Sequence, residues 1–503
     1  MRRGSAALYL LGSAALLLFA NGRNTVAIAA WLAPLVLLRF VRTRRPWLGL
    51  PLVCLVMVAT WAFQFRGMVP VGDTMFWVID GLYAVAGILP YLADRWAARR
   101  LPGLASTLVF PLTWVASEFL FLRWSPFSSW GTVGYTQYGN LPLIQIVAVT
   151  GLAGITFLVG WFAATVNWVW ERGLADRRVR RGALCCLATL AGVFLLGGLR
   201  LALWQVERPT VRIAALSRPE ASIFPNQDLE RRFSGRAATA AETMAITAFW
   251  EKLEDGLLAR ADAEAAAGAK LVFWNEAALP VMKGDEARLV ARGCRLARAR
   301  RIYLGMAMGT IDPMAARWLD NKLVLIAPDG TVAWQYRKAR PVPGGEAAHA
   351  VPSDGRLRTL DTPLGRLSTA ICFDMDFPEL LRQAGRAGAQ VVLVPASDWP
   401  AIDPWHAQMA AFRAIEEGFS MVRQTHNGLS LAVDYQGHVL AHEDDLESAS
   451  RSMVAEVPVA GARTPYALLG DLFAWCAVGA ALVILILAAR GAATLPEALA
   501  APE

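Results

Sequence analysis

Lysine, histidine and cysteine are all scarce in this 503-residue chain, which has five lysines, five histidines and six cysteines. Four of the cysteines, Cys54, Cys185, Cys186 and Cys476, fall in apolar runs where a thiol packs as a small hydrophobe, so a dense disulfide framework is excluded. Only Cys294 and Cys372 lie elsewhere. They could pair in an oxidising compartment, but two free thiols are expected because the surroundings of Cys372 look catalytic. His349, His406 and His426 show no H-x-x-x-H spacing, so no metal site is expected. There is no internal repeat and no low-complexity linker.

Apolar residues are abundant, at 55% of the chain, and they are unevenly placed. They crowd into the first 205 residues and again near 468–489, while 209–462 has the composition of a globular domain. A bilayer core takes about 20 mainly apolar residues per helix. Eight runs qualify, near 5–20, 25–41, 47–65, 74–93, 103–123, 150–170, 183–204 and 468–489. The first lacks a clean small-residue cleavage site and is followed closely by another apolar run, so it is read as a span rather than a cleaved leader.

Basic residues mark every second junction: Arg2 and Arg3, then Arg42, Arg44 and Arg45, then Arg95, Arg99 and Arg100, then the arginines of 172–181. The junctions between them carry only Arg23, Arg66 or no charge. The positive-inside rule then puts the N-terminus in the cytoplasm and residues 209–462 on the far side after seven crossings. The net charge of +8 is a topology signal on this reading, and no nucleic-acid partner is expected. Three parts follow: a seven-helix membrane domain (1–208), an extracytoplasmic domain (209–462), and a closing helix with a short cytoplasmic tail (463–503).

Within 209–462, β-branched or apolar runs alternate with helical patterns. Strands are expected at 211–216, 270–274, 302–308, 322–327, 332–336, 367–372, 390–395, 420–424 and 429–434. Helices are expected at 237–268, 285–299, 378–387 and 405–417. Strands that return through helices make an α/β domain, and the hairpin across 328–330 makes its sheet mixed.

Three reactive side chains end apolar strands just before turn chemistry, where α/β folds place their active sites. Glu276 follows LVFWN, Lys338 opens ARPVPGGE, and Cys372 ends LSTAI. Singly, each has an ordinary reading as a loop carboxylate, a surface amine or an inert core thiol. Together they suit acyl chemistry. The thiolate is the nucleophile, the carboxylate a general base and later acid, and Lys338 with the Phe373 backbone N–H an oxyanion site. Such chemistry calls for no cofactor or metal.

The segments WNEAALP, YRKARPVPGGE and ICFDMDFPEL resemble, in that order, the three motif blocks of the carbon–nitrogen hydrolase (nitrilase) superfamily. The resemblance implies a four-layer α-β-β-α sandwich and a triad of Glu276, Lys338 and Cys372. It continues through SDWPAIDPWHAQMAAFRAIEEGFSMVRQTHNGLSLAVDYQGHVL, where a long helix carries Arg413 and Glu416 and Asn427-Gly428 forms a turn. The flanking helices, with FPLTWVASEFLFLRW and FSSWGTVGYTQYGNLPLIQIVAVTGLAGITFLVGW, are similar to the apolipoprotein N-acyltransferase family over nearly the whole chain. That likeness implies a multi-pass protein of the bacterial inner membrane, a phospholipid acyl donor, and a lipoprotein or other amine acceptor. It also implies supporting roles for Glu346, Phe373 and Asp374, with Glu346 as the family's second functional Glu.

The chain departs from the family pattern in four places. Cys372-Phe373-Asp374 stands for Cys-Tyr-Glu, so Asp374 is expected to reach the incoming amine differently. Arg340-Pro341 stands for His-Leu, and Gly344-Gly345 for Phe-Gly. Near 220–230 only Phe224 replaces an arm Trp. The Cys-Phe-Asp sequence keeps open a membrane-tethered amidase or nitrile hydrolase acting on a small exported substrate. In the membrane part, Glu118 is either a functional intramembrane carboxylate or an interfacial neighbour of Arg123. Trp124, Phe127, Trp130, Tyr135 and Tyr138 are expected to form an interfacial aromatic belt.

Overall fold

A computed structural model of the chain describes residues 3–203, 209–219, 222–448 and 450–493. Arg2 of the first basic cluster, the boundary at residue 208 and the tail beyond 493 lie outside the described residues. The chain forms two compact units, 1–205 with 469–503, and 206–468.

Each of the eight expected spans contains a helix. They are Arg3–Leu17, Ala27–Thr43, Pro46–Phe65, Asp73–Ala97, Ala105–Trp124, Ala153–Arg172, Arg177–Leu203 and Leu472–Ala493. Among the described residues six helices are long and apolar enough to cross a bilayer, and the protein is a multi-pass membrane protein. The first two helices are shorter, at 15 and 17 residues, which at about 1.5 Å per residue falls short of a core about 30 Å thick.

Close helix approach is made by small residues, as expected where lipid supplies no hydrophobic drive between helices. At Gly160 a Cβ would stand 3.0 Å from the Cα of Pro111 on the neighbouring helix. Several polar groups inside the bundle are paired across helices. Arg42 donates two 2.8 Å bonds to Asp94, and Asn167 donates to the Leu35 carbonyl at 2.9 Å.

Glu118 accepts from the Thr156 hydroxyl at 2.7 Å and the Val133 N–H at 3.3 Å. Arg123 instead lies over the Trp475 ring, 5.9 Å from its centroid, so Glu118 ties helices and loop together. The aromatic belt expected after Arg123 needs correction. Only Trp124 is widely exposed, at 84%, while Phe127, Trp130 and Tyr135 are buried. The 125–150 segment folds back into the unit through short turns such as Val133–Gln137 and Leu141–Ile144, so its rings pack inward.

The second unit holds two sheets. The first is built from β1 (Thr210–Leu216), β2 (Leu271–Trp274), β3 (Leu279–Met282), β4 (Tyr303–Ile311), β5 (Leu319–Ile326) and β6 (Val332–Arg337). The second is built from β7 (Thr359–Thr362), β8 (Gly365–Thr369), β9 (Val391–Ser397), β10 (Ser420–His426), β11 (Leu429–Val433) and β12 (Val439–Asp444), and β13 (Ser452–Pro458) returns to the first. The orders are β13-β1-β2-β4-β5-β6, with β3 beside β4, and β12-β11-β10-β9-β8-β7. β1, β2 and β4 run parallel, as do β8, β9 and β10, and the other neighbours are antiparallel except the parallel pair β3 and β4.

The runs LVFW and VVLVPA are buried throughout because both faces of a central parallel strand are covered. One core joins the sheets, with Ile213, Phe273 and Leu323 meeting Leu367, Leu393 and Val422. A second lies under helices Ala240–Ala266 and Glu286–Arg300, where Trp250, Leu257 and Ala297 pack on Val272 and Leu304. Helix Trp405–Glu417 covers β10 and β11 and packs on Pro378–Arg386. The result is the α-β-β-α sandwich. Strands β3, β7, β12 and β13 were not expected. They are four to seven residues long, and most are too polar or too short for periodicity to reveal.

Candidate functional site

The parallel strands β2, β8, β9 and β10 and the end of β6 deliver a cluster of charged side chains to one edge of the sandwich. Glu276 sits two residues beyond β2, and its N–H donates to the Ala396 carbonyl of β9 at 3.1 Å. Lys338 follows β6, and its N–H donates to the Asn321 carbonyl of β5 at 2.9 Å. Both side chains are buried. Lys338 Nζ lies 2.7 Å from Glu276 Oε1 and 2.8 Å from Glu346 Oε2.

Asn321 Nδ2 completes this square, donating to Glu276 Oε1 at 2.7 Å and Glu346 Oε1 at 2.9 Å. Glu346 Oε2 also accepts the Val342 N–H at 2.8 Å. The short helix Gly345–His349 that carries Glu346 begins after Gly344, whose φ of 102° suits glycine. The Gly-Gly departure therefore still presents the carboxylate to Lys338.

Cys372 does not end a strand as expected. β8 stops at Thr369, and Cys372 opens the tight turn Cys372–Asp376 with φ of +49°. Left-handed backbone is costly for a residue with a Cβ and persists only where neighbours impose it. Sγ lies 3.8 Å from the Ser397 carbonyl oxygen. Cys294 and Cys372 are both free thiols.

Burial, then the charge of Glu276, pushes the Cys372 thiol well up, while Lys338 and Arg423 pull it back. Burial disfavours the Lys338 ammonium, but Glu276, Glu346 and Cys372 hold it well above the ordinary amine range. Glu346 is lowered because Lys338 outweighs its burial. The resting site is thus a protonated thiol beside a firmly charged ammonium, and the thiol needs a base to become a nucleophile.

Asp374 is placed differently from the expectation that it reaches an incoming amine. It is fully buried. Oδ2 accepts from the Tyr336 hydroxyl at 2.7 Å and the Ile371 N–H at 2.9 Å, and Oδ1 from the Arg340 N–H at 2.7 Å. It therefore joins the turn before Cys372 to the loop after Lys338. Burial pushes its carboxyl up to about 6 against those hydrogen bonds. The ring of Phe373 packs edge-on against Phe377 at 5.2 Å. Arg340, in place of His, lies 4.8 Å over Phe377 and 3.6 Å from Glu379.

Behind Cys372 is a network of side chains from sequence-distant segments. Arg423 Nη2 donates to both Asp398 oxygens at 2.7 and 2.8 Å. His406 Nδ1 lies 2.8 Å from Asp398 Oδ1, and its Nε2 is 3.4 Å from Asp376. Asp398 falls to about 2 because Arg423 and His406 overcome its burial. His406 rises to about 9, its burial outweighed by Asp376 and Asp398.

The ligand atoms of Cys372, Asp398 and His406 lie within 4.8 Å of one another. That spacing could suit a metal ion, but the guanidinium of Arg423 engages both Asp398 oxygens and stands 3.0 Å from His406 Nδ1. The donors therefore fit an ion-pair network better than a cation site.

Sequence reasoning missed Asn321, Tyr336, Asp376, Asp398 and Arg423, and weighed His406 only as a metal ligand. One signal was legible: Arg423 is a charge inside SMVRQTH, a strand buried along its whole length.

Two family models match the chain: the apolipoprotein N-acyltransferase N-terminal domain over residues 13–165, and carbon-nitrogen hydrolase over 236–461. Over most of its length the chain is similar to the apolipoprotein N-acyltransferases. The apolipoprotein N-acyltransferase of Geobacter metallireducens is 29% identical over 82% of this chain and 79% of its own length. That of Gloeobacter violaceus is 27% identical over 91% and 89%, and that of Pasteurella multocida 26% over 77% and 75%. Against that family, the arm position of Phe224 is occupied by packing. Its ring meets those of Phe233 at 5.6 Å and Trp250 at 6.3 Å, and Trp250 Nε1 donates to the Ile223 carbonyl at 2.7 Å.

Proposed function

We propose that this protein takes a fatty acyl chain from a phospholipid onto Cys372 and passes it to the N-terminal amine of a lipoprotein. The reading rests on one juxtaposition: a buried Cys372 beside the Glu276–Lys338–Glu346 cluster, in a chain with six membrane-length helices among its described residues. Glu276 takes the Sγ proton as sulfur attacks the ester carbonyl of the lipid. Lys338 Nζ and the Phe373 N–H hold the oxyanion, a contribution of roughly 3–4 kcal/mol per donor. Collapse breaks the ester C–O bond. The lysophospholipid oxygen leaves with the proton from Glu276, and a Cys372 thioester remains.

The acceptor amine then gives its proton to Glu276 and attacks the thioester carbonyl. The C–S bond breaks, the amide forms, and the thiolate recovers its proton. Glu346 and Asn321 fix Lys338 and Glu276 throughout. No cofactor takes part. The amidase alternative is not favoured, since the relatives that match over most of the chain are acyltransferases.

The catalytic unit, within 209–462, lies outside the cytoplasm of a bacterial inner membrane, with 1–208 and 463–503 as its membrane parts. The basic clusters at alternate junctions support this orientation. Protease treatment of spheroplasts should cleave within 209–462, and protection until the membrane is opened refutes the orientation. The activity test has two stages: thioester formation from labelled phospholipid, then its decay with a diacylglyceryl-cysteine peptide or with buffer. Faster decay with the peptide is expected. Equal rates would leave a hydrolase.

A further inference from the structure

A cavity of the membrane unit, about 410 Å³, is far in sequence from the acyl chemistry and is lined by arginine. It opens where five helix ends meet. Ala27–Thr43, Asp73–Ala97 and Ala153–Arg172 finish there, and Ala105–Trp124 and Arg177–Leu203 begin. Helix ends of a multi-pass bundle lie at the boundary between hydrocarbon and water.

Six guanidiniums line this cavity, from Arg42, Arg95, Arg99, Arg100, Arg172 and Arg178, against three carboxylates. Two of the carboxylates are already answered. Asp94 takes both bonds from Arg42, and Glu171 lies 3.1 Å from Arg39 and 3.5 Å from Arg42. The third, Asp176, accepts the backbone N–H of Arg178 at 2.7 Å. Arg42 and Asp94 are nine-tenths buried or more, so the floor is a fixed, neutral pair and the walls keep an excess of positive charge.

Arg95, Arg99 and Arg100 each donate to a helix-end carbonyl, of Val41, Arg42 and Trp96. That bond uses one of the five N–H donors on each guanidinium, so capping does not exhaust them. The positive-inside rule accounts for basic residues at this end, but it asks only for charge. It does not account for guanidiniums that converge on a cavity around a buried ion pair.

We propose that this cavity holds the phosphodiester of an anionic phospholipid, in the leaflet opposite the one that supplies acyl groups. The diester offers two acceptor oxygens to the planar forks of Arg172, Arg178 and Arg99. Its acyl chains keep it at the depth where the helix ends lie. The site is separate from Cys372, and its failure leaves the acyltransferase reading intact.

The test is native mass spectrometry of the full-length protein in detergent, with phosphatidylglycerol or phosphatidylcholine added. Phosphatidylglycerol should be retained preferentially. Arg172→Gln with Arg178→Gln should weaken its retention on the order of thirtyfold, the effect of two interfacial charges. Arg172→Lys with Arg178→Lys keeps the charge, the topology rule and the thermal unfolding midpoint, and should still lower retention because the forks are lost. Equal retention of the two lipids, or full retention by the lysine variant, overturns the proposal. So does competition by inorganic phosphate as effective as that by the lipid, which would mark a site for soluble anions.

Discussion

Changing Asp374 separates two roles for this residue of the nucleophile turn, two positions beyond Cys372. If its carboxylate met the incoming amine, lengthening it to Glu would alter only the second half-reaction. In the structure it instead accepts the Ile371 N–H and the Arg340 N–H on different oxygens, one residue before the nucleophile and two after the lysine. Asp374→Asn turns one of those oxygens into a donor. In either amide orientation a backbone N–H then faces an N–H, a buried loss of about 1–3 kcal/mol. The Tyr336 hydroxyl can rotate to accept, but the two backbone amides cannot.

Asp374→Glu adds a methylene at a site with no exposure, for which overpacking costs about 1–3 kcal/mol. Either change lets the Cys372 turn and the Lys338 loop slip relative to each other, and a misplacement of about 1 Å lowers rates on the order of a hundredfold. Both half-reactions use the same oxyanion site, so both should fall together. Single-turnover thioester formation, followed by a chase with the acceptor peptide, measures the two steps separately. An Asp374→Glu enzyme that forms thioester normally and fails only in transfer to the amine would refute this positioning role.

Cys372→Ala should abolish covalent acyl capture, while Lys338→Ala and Glu276→Ala should each reduce turnover at least about a hundredfold; near-normal turnover of the Cys372→Ala protein removes the nucleophile assignment. Asn321→Leu leaves Glu276 and Glu346 with Lys338 as their one remaining shared donor and should lower thioester formation by roughly tenfold or more, a loss of about 1.5–3 kcal/mol for a hydrogen bond to a charged group; unchanged single-turnover rates contradict it. His406 rises from 6.5 to about 9 in the fold, so its charge contributes stability in full below about pH 6.5, and the contribution disappears as pH climbs through 9. At roughly 1.4 kcal/mol per pH unit this amounts to about 3 kcal/mol. The unfolding midpoint of the native protein should therefore fall between pH 6.5 and 9 relative to that of His406→Asn, and parallel curves for the two would contradict the His406 assignment.

The sequence by itself determined what depends on nearby residues. Apolar runs of bilayer length give the helices, because hydrocarbon leaves a spanning backbone no other partner for its hydrogen bonds. Buried strands such as LVFW and VVLVPA are legible because β-branched and aromatic runs stop abruptly at turn residues. Glu276, Lys338 and Cys372 stand out for the same reason, each reactive group following such a run. Tertiary structure decided whatever depends on partners far along the chain. Asn321 reaches Glu276 from 45 residues away, and Arg423 reaches Asp398 from 25; nothing in either local sequence names its partner. Asp374 reads as a substrate contact in the motif, and only the fold shows its oxygens turned inward to backbone amides. The aromatic residues of 125–138 read as an interfacial belt, yet the chain folds back and buries most of them. Periodicity reports which residues avoid water, whereas the close packing of distant segments selects which of them meet.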